Sequence, residues 1–166
     1  FDEAGSNAGL TTAEVMAKRG SDVELVSPDT AHGAEVGNGH RTPHMTELYR
    51  AGVKLTVDSR LVEVRRSGNK FVAVLTNTYL DQTEERIVDQ VVGDYGTLPN
   101  DDLFEVLKTD SKNRGELDLE ELAAFRAQTR VRNPEGSYVL YKAGDVWAGR
   151  NVHAAMFDAA RICQRI

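Results

Sequence analysis

The order of patterns in the first 28 residues restricts the fold more than any other feature of the chain. The segment FDEAGSNAGLTTAEVMAKRGSDVELVSP begins like the end of a strand and passes through a turn of small residues. Thr11–Arg19 then has the residue pattern of a helix, with Gly20 as a plausible stop, and DVELVSP alternates like a strand closed by Pro28. Strand, helix and strand in this order predict a βαβ unit.

Composition limits the classes of protein that remain. The chain has 166 residues, 40% of them hydrophobic, which is enough for one ordinary domain or for a small domain plus part of another. The net charge of -6 disfavours nucleic acid and anionic membrane surfaces as partners. The single cysteine, Cys163, excludes an internal disulfide and an all-cysteine metal site, and it fits a reducing cytoplasm. We therefore expect a cytoplasmic protein without a membrane span.

The middle of the chain changes from helix-like to strand-like patterning at Gly52. PHMTELYRAGV reads as a short helix that begins near Pro43. The following residues, rich in Val and Thr, predict an antiparallel meander from about Val53 to Val92, and Ser67-Gly68-Asn69 marks a hairpin turn within it. An antiparallel insert after a βαβ start predicts a three-layer α/β sandwich of the Rossmann-like, dinucleotide-binding type.

The last third returns to helices. DDLFEVLK and DLEELAAFRAQ are helix-like, and GSYVLYK reads as a strand that leads into Gly144-Asp145. The closing helix has an apolar stripe that the pattern places on one face: Ala155, Phe157, Ala159, Ile162 and Cys163. His153 falls in the first turn of this helix, where a positive charge would oppose the helix dipole, so we expect it to be neutral or to contact something outside the chain.

The opening turn departs from the glycine fingerprint that binds a dinucleotide. In G-x-G-x-x-G, the register set by the helix places Ala4, Ser6 and Gly9 at the three glycine positions, so only the third, which packs helix on strand, remains. The next strand ends at Ser27 instead of an acid or an arginine that would bind the ribose, and Asp29 lies beyond the proline. We interpret the turn as a scaffold that has lost its nucleotide, with NAD(P) binding as the alternative.

Two further motifs contain residue types that bind metal ions in proteins. DSKNRGELDLEE resembles a calcium-binding loop, but Lys112 and Arg114 stand where the cation needs oxygen ligands. The favoured interpretation is a polar loop in which Asp118 caps the next helix and Glu121 completes a capping box.

Three histidines crowd the segment AHGAEVGNGHRTPH. They are His32, His40 and His44, and they raise the possibility of a metal or anion site. Because Pro43 argues against a helix that would hold the last two on one face, a solvated interdomain loop is the favoured interpretation. The chain offers no nucleophile elbow or other catalytic constellation.

Four stretches in their order resemble a known family. VMAKRGSDVELVSP, LYRAGVKL, VDQVVGDYGTLPNDDLFEVLK and YVLYKAGDVWAGRNVHAAMFDAARICQRI are similar to the C-terminal third of the trimethylamine dehydrogenase and 2,4-dienoyl-CoA reductase family of NADH:flavin oxidoreductases. Within that family the similarity is greatest to the N-methylproline and dimethylglycine demethylase-like proteins. The resemblance spans nearly the whole chain.

The resemblance implies an architecture and a set of partners. Residues 1–133 would form an inserted NAD(P)-like domain, and residues 134–166 would be the returning strand and helix of an FAD- or ADP-binding domain. A flavin barrel with FMN, a 4Fe–4S cluster and the rest of the first dinucleotide domain would lie upstream in the same polypeptide. Gly96–Asn100 resembles the family's crossover between the domains, whereas Gly93–Gly96 departs from the family's Ala-Thr-Gly.

The resemblance also implies the site residues. Gly144 and Asp145 would contact FAD or ADP, and Gly9 is the remaining glycine of the opening turn. The chain lacks the initiator methionine and starts at the end of a strand, so we expect a fragment of a flavin-dependent oxidoreductase that is inactive alone. A second copy in a homo-oligomer is a further candidate partner. The alternatives are an independent NAD(P)-binding domain and a non-enzymatic interaction domain.

Overall fold

A computed structural model describes residues 1–164 of the chain. These residues divide into two compact units, and the boundary along the chain falls between Gly96 and Thr97. The first unit contains α1 (Asn7–Lys18), β1 (Glu24–Val26), α2 (Asn38–Arg50), β2 (Lys54–Thr56), β3 (Ser59–Ser67), β4 (Lys70–Asn77) and β5 (Thr83–Val88). The second contains α3 (Asp102–Lys108), α4 (Leu119–Ala123), a 3-10 turn (Gly144–Val146) and α5 (Val152–Cys163).

The opening strand–turn–helix–strand pattern is confirmed. Helix α1 begins at Asn7, four residues before the predicted start, because the Ser6 side chain accepts a hydrogen bond from the Ala8 N–H and caps the helix there. β1 pairs with β2 in a parallel register that sets Leu25 opposite Leu55. The predicted α/β fold with a parallel pair is therefore present.

The core of the first unit lies between this parallel pair and the two long helices. Its buried members are Leu10, Ala13, Leu25, Val36, Leu48 and Val53. Leu10 from α1 and Leu48 from α2 are completely inaccessible. Burying a leucine of this kind stabilises the fold by about 1.5–3 kcal/mol, so these two side chains fix both helices against the sheet.

The antiparallel meander is confirmed and runs over β3, β4 and β5, slightly shorter than the predicted 53–92. The β3–β4 hairpin turns at Gly68, whose φ of 62° lies in the left-handed region that glycine adopts freely. β4 is the central strand of the three. The run of buried residues from Val72 to Leu75 shows that β4 is covered on both faces.

Helix α2 corrects one prediction. It begins at Asn38 rather than near Pro43, so the proline lies inside the helix and His40 and His44 share it. Proline removes one backbone hydrogen bond from a helix interior. The burial of Leu48 in the core stabilises this helix despite its polar composition, since tertiary packing supplies most helical stability in proteins.

The second unit corrects another prediction, the strand before Gly144. The structure assigns no strand there, because the backbone is held by a loop instead of a neighbouring strand. The Tyr138 carbonyl accepts from the Lys112 N–H at 2.7 Å. The Asn113 side chain donates to the Leu140 carbonyl at 2.7 Å and accepts from the Leu140 N–H at 2.9 Å.

The closing helix is present as predicted, but its apolar stripe is not a buried face. Ile162 is buried, whereas Phe157 and Cys163 are exposed. In the described residues, no helix has the length and apolarity needed to cross a membrane. The predicted boundary between residues 133 and 134 concerns the family's domain order and stays a prediction.

Candidate functional site

The opening turn places Ser6 at the head of α1, where a nucleotide phosphate would have to approach. The Ser6 hydroxyl accepts from the Ala8 N–H at 3.1 Å and donates to Asp94 Oδ2 at 3.4 Å. Free N–H groups at a helix N-terminus are what attract an anion. Here one of them is taken by the chain's own serine, beside a carboxylate.

Gly9 lies where helix α1 meets Asp2. A Cβ atom at Gly9 would lie only 2.5 Å from Asp2 Cγ and 2.9 Å from Asp2 Cβ. A glycine is therefore needed for packing, as the sequence suggested for the third position. Its role in binding a cofactor stays a prediction.

Asp2 is a functional candidate that the sequence analysis missed. Its side chain is fully buried, with Oδ1 accepting from the Gly5 N–H at 2.9 Å and Oδ2 without a hydrogen-bond partner among the described residues 1–164. Burial raises the pKa of this carboxyl, and nearby Asp94 raises it further, against the opposing effect of the Gly5 hydrogen bond. The sequence signal that could have identified Asp2 is an acidic residue between the end of a strand and a glycine turn.

A loop of the same chain lies over the opening turn. The Glu35 N–H donates to the Gly5 carbonyl at 3.0 Å. A Cβ at Gly5 would lie 3.3 Å from the Ala34 nitrogen and 3.4 Å from Asp29 Oδ2. Asp29 therefore lies beside the turn even though it follows Pro28, and with Asp94 it places negative charge where a pyrophosphate would have to sit.

Ser27, the residue at the ribose-reading position, is used locally. It is completely buried, and its hydroxyl accepts from the Asp29 N–H at 3.2 Å. Its backbone N–H donates to the Thr56 carbonyl in the parallel sheet. The serine thus shapes the turn after β1.

The Gly144-Asp145 turn has a different environment. Gly144 is buried with φ of 67°, and its N–H donates to Asp158 Oδ2 at 3.4 Å. Arg150 forms an ion pair with the same aspartate. Asp145 is exposed, and within residues 1–164 its side chain has no hydrogen-bond or ion-pair partner. Its carboxylate is free to accept hydrogen bonds from a ligand.

The histidines do not converge. His32 is buried, and neither ring nitrogen has a hydrogen-bond partner in the part of the chain that the structure describes. Burial, followed by the charge of Arg41, lowers its pKa. His44 Nδ1 lies 3.2 Å from Glu14 Oε2, while His40 and His153 are exposed. The predicted solvated loop is therefore wrong for His32. Among the described residues no three potential ligands form a metal cluster.

The calcium-like loop ends in the predicted cap. Asp118 Oδ1 accepts from the N–H groups of Glu120 and Glu121 at 3.1 and 3.2 Å. The capping box is wrong, because the Glu121 carboxylate pairs with Arg126 and the Asp118 N–H donates to Gln128 Oε1. The Glu121 carboxylate and the Asp118 backbone N–H, which would bond to each other in the box, therefore both have other partners.

Two curated proteins are similar to this chain along nearly its whole length. No family model matches the chain. A probable N-methylproline demethylase from Rhizobium meliloti (strain 1021) is 40% identical over 166 residues, which is 100% of this chain and 24% of that protein. An N,N-dimethylglycine/sarcosine dehydrogenase from Chromohalobacter salexigens is 39% identical over 168 residues, covering 99% of this chain and 24% of that protein. The chain thus spans about a quarter of the length of these curated relatives.

Solved structures share the fold. Histamine dehydrogenase from Rhizobium sp. 4-9 matches 100% of this chain and 22% of its own with a TM-score of 0.69 at 18% identity. A flavoprotein disulfide reductase from Escherichia coli matches 98% of this chain and 34% of its own with a TM-score of 0.57 at 14% identity. Along nearly its whole length, at 39–40% identity, this chain is similar to part of the demethylase and of the dehydrogenase named above, and its fold is the one found within histamine dehydrogenase.

Proposed function

We propose that this chain is the nucleotide-binding-fold part of a longer flavin-dependent oxidoreductase that demethylates N-methyl amino acids or oxidises NAD(P)H. The flavin barrel, FMN, the 4Fe–4S cluster and the glycine-rich turn of the first dinucleotide domain belong to the polypeptide upstream. The names and lengths of the relatives support this arrangement. We place the protein in the cytoplasm, where its single thiol stays reduced.

In this proposal the first unit is a scaffold that binds no nucleotide. The observation that supports this role is that other groups of the chain cover the opening turn. The Gly5 carbonyl is bonded to Glu35, the Ser6 hydroxyl takes the Ala8 N–H, and Asp29 and Asp94 lie beside the turn. A dinucleotide would have to displace the loop and place its phosphates among carboxylates. Both the displacement of the loop and the repulsion between phosphates and carboxylates weaken nucleotide binding.

The Gly144-Asp145 turn is the part of the chain that contacts the FAD or ADP of the parent enzyme. The residues fit such a group, because Asp145 is exposed with free carboxylate oxygens and can accept hydrogen bonds from ribose hydroxyls. Asn151, which caps α5 by accepting from the Ala154 N–H, fixes the helix that follows. The partner turn comes from upstream residues, so the chain alone holds half of the site.

Calorimetric titration of the chain with NADH and NADPH tests the scaffold role. Two lost phosphate or ribose contacts at about 1–3 kcal/mol each would move a micromolar site towards millimolar affinity. We expect no heat of binding up to about 1 mM nucleotide. A dissociation constant below about 50 μM for either nucleotide would overturn the proposal.

Colour and turnover supply a second check. We expect the purified chain to be colourless and to oxidise neither amines nor NADH. A flavin absorbance band that survives gel filtration would contradict this expectation.

A further inference from the structure

The start of helix α2 joins an amide side chain to an unhindered backbone nitrogen. Asn38 is followed by Gly39, and this is the single Asn-Gly pair in the sequence. Both residues are exposed, and a Cβ atom at Gly39 would meet nothing within 4 Å. Because glycine has no side chain, nothing of its own shields its backbone nitrogen from the residue before it.

The hydrogen bonds of this turn leave both of these groups unpaired. The first bonds of α2 come from the N–H groups of His40 and Arg41, which donate to the Gly37 carbonyl at 2.9 and 3.0 Å. The Gly39 N–H precedes them, and a helix has no internal acceptor for its first N–H groups. Among the residues that the structure describes, neither this N–H nor the Asn38 side-chain amide has a hydrogen-bond partner.

The first turn of α2 is also weakly held. Its N-cap residue, Gly37, has no side chain that could accept from the unpaired N–H groups, and the turn contains no acidic residue. Gly39 adds the backbone freedom that makes glycine unfavourable in helices. Helix ends of this kind open while the rest of the protein stays folded. Opening of the turn frees the Asn38 backbone to rotate and brings the side-chain amide towards the next backbone nitrogen.

We propose that Asn38 is a site of spontaneous deamidation in which Gly39 supplies the nucleophile. The Gly39 backbone nitrogen loses its proton and forms a bond to Asn38 Cγ, and the side-chain nitrogen takes up a proton and leaves as ammonia. Water then adds to one of the two carbonyls of the cyclic succinimide and opens it to aspartate or isoaspartate. The net reaction consumes water, releases ammonia and adds a negative charge, with no oxidation or reduction.

The aspartate product is favoured by the place where it forms. The unpaired N–H groups give a helix N-terminus a partial positive charge, so an acid in the first turn stabilises the helix. Helix α2 has no such acid until Asn38 is converted. Isoaspartate has the opposite effect, because its extra backbone carbon interrupts the helical repeat.

Peptide mass spectrometry of the intact chain after incubation at mildly alkaline pH tests the site. The peptide with Asn38 should acquire the mass of the acid at least about tenfold faster than those with Asn69 and Asn100, which are exposed but precede Lys70 and Asp101. Electron-transfer fragmentation distinguishes aspartate from isoaspartate, and both should appear. Conversion no faster than at the two reference asparagines would overturn the proposal.

A substitution at the nucleophile tests the mechanism. Gly39→Ala adds a methyl group beside the reacting nitrogen, in open space where the fold tolerates it. We expect it to slow the conversion of Asn38 by about tenfold or more. An unchanged rate would rule out attack by the Gly39 nitrogen.

Two matched substitutions at Gly37 test the role of helix opening. Gly37→Ser adds a side-chain oxygen that caps the turn, so it should slow the conversion by about threefold or more. Gly37→Ala adds a methyl group without a cap and should not slow it. A Cβ atom at Gly37 would meet nothing within 4 Å, so neither variant disturbs the packing. Equal rates for the two would contradict a reaction that depends on opening of the turn.

Asn38→Asp reproduces the product and tests its effect on the helix. We expect the thermal midpoint to rise by about 1–3 °C, because the new carboxylate lies beside the unpaired N–H groups of the first turn. Asn69→Asp adds the same charge at the exposed hairpin turn and should not raise the midpoint. A lower midpoint for Asn38→Asp than for Asn69→Asp would overturn the stabilising role of the product.

Discussion

Two glycine turns in this chain precede a helix and carry an acid, yet the acids have opposite environments. Asp2 is fully buried, bonded to the Gly5 N–H and packed against Gly9. Asp145 is exposed with no partner in the described residues. The same residue types therefore serve packing in one unit and remain free for a ligand in the other. The neighbours that cover the acid decide its role.

The largest effect should come from filling the space beside Asp2. Gly9→Ala places a Cβ 2.5 Å from Asp2 Cγ, in a buried site with little room to relax. We expect a loss of about 2–3 kcal/mol in the free energy of unfolding, measured with urea. Gly39→Ala is the control, because it also lies in a helix but has nothing within 4 Å, and it should be neutral or stabilising. Equal effects of the two would remove the packing role of Gly9.

The matching change at the other turn should cost less. Gly144→Ala meets the Ala155 Cβ at 3.1 Å and forces a non-glycine residue to φ near 67°. We expect a loss of about 1–2 kcal/mol, most of it from the backbone conformation. Gly52→Ala has φ of 72° but nothing within 4 Å, so the difference between the two urea midpoints isolates the Ala155 contact. A larger loss at Gly52 would show that this contact costs nothing.

A pH series separates the buried acid from the exposed one. The pKa of Asp2 is raised by burial, so the folded state holds its proton more tightly than the unfolded state does. The stability this contributes is full below the unfolded pKa of about 3.9 and is lost as pH rises through the folded pKa. Relative to wild type, Asp2→Asn should therefore gain stability as the pH rises from the unfolded pKa through the folded one, as urea unfolding at each pH would report. A constant difference would contradict the raised pKa, and Asp22→Asn controls for loss of one charge.

The smallest effect on stability belongs to Asp145. Asp145→Asn alters an exposed carboxylate without a partner in the described residues, so the thermal midpoint should shift by no more than about 1 °C. In the full-length enzyme the same substitution should weaken FAD or ADP retention, measured by ultrafiltration after purification. An unchanged cofactor content would refute the proposed contact. A midpoint shift of several degrees would show that Asp145 is structural like Asp2.

The sequence predicted the parts of the fold that depend on local patterns. The βαβ start, the hairpin at Gly68 and the cap at Asp118 follow from residue types within a few positions of each other. The prediction of a strand before Gly144 was wrong, because the Asn113 side chain bonds to Leu140, 27 positions later, in place of a strand partner. Local patterns contain no information about such a distant side chain.

At the candidate site, too, the sequence identified only what local patterns and the family resemblance contain. The missing second glycine at Ser6 drew attention to the opening turn, and the family resemblance named Gly144 and Asp145. The roles of these residues in binding stay predictions. The burial of Asp2 and the position of Asp29 beside Gly5 could not be predicted, because Asp2 packs against Gly9 of helix α1 and Asp29 approaches Gly5 from another segment of the chain. The apolar stripe of α5 was assigned from spacing alone, and spacing does not show that Ile162 is buried while Phe157 is exposed.

The contact between the two ends of the first unit has a consequence for the order of folding. β3 and β4 are joined by a two-residue turn, whereas the Phe1 nitrogen and the Val92 carbonyl are 91 positions apart. The entropy lost on closing a loop grows with the logarithm of its length, and rates fall as contacts become less local. We therefore expect the hairpins to assemble early and the Phe1–Val92 closure to be the last step in folding and the first to fray.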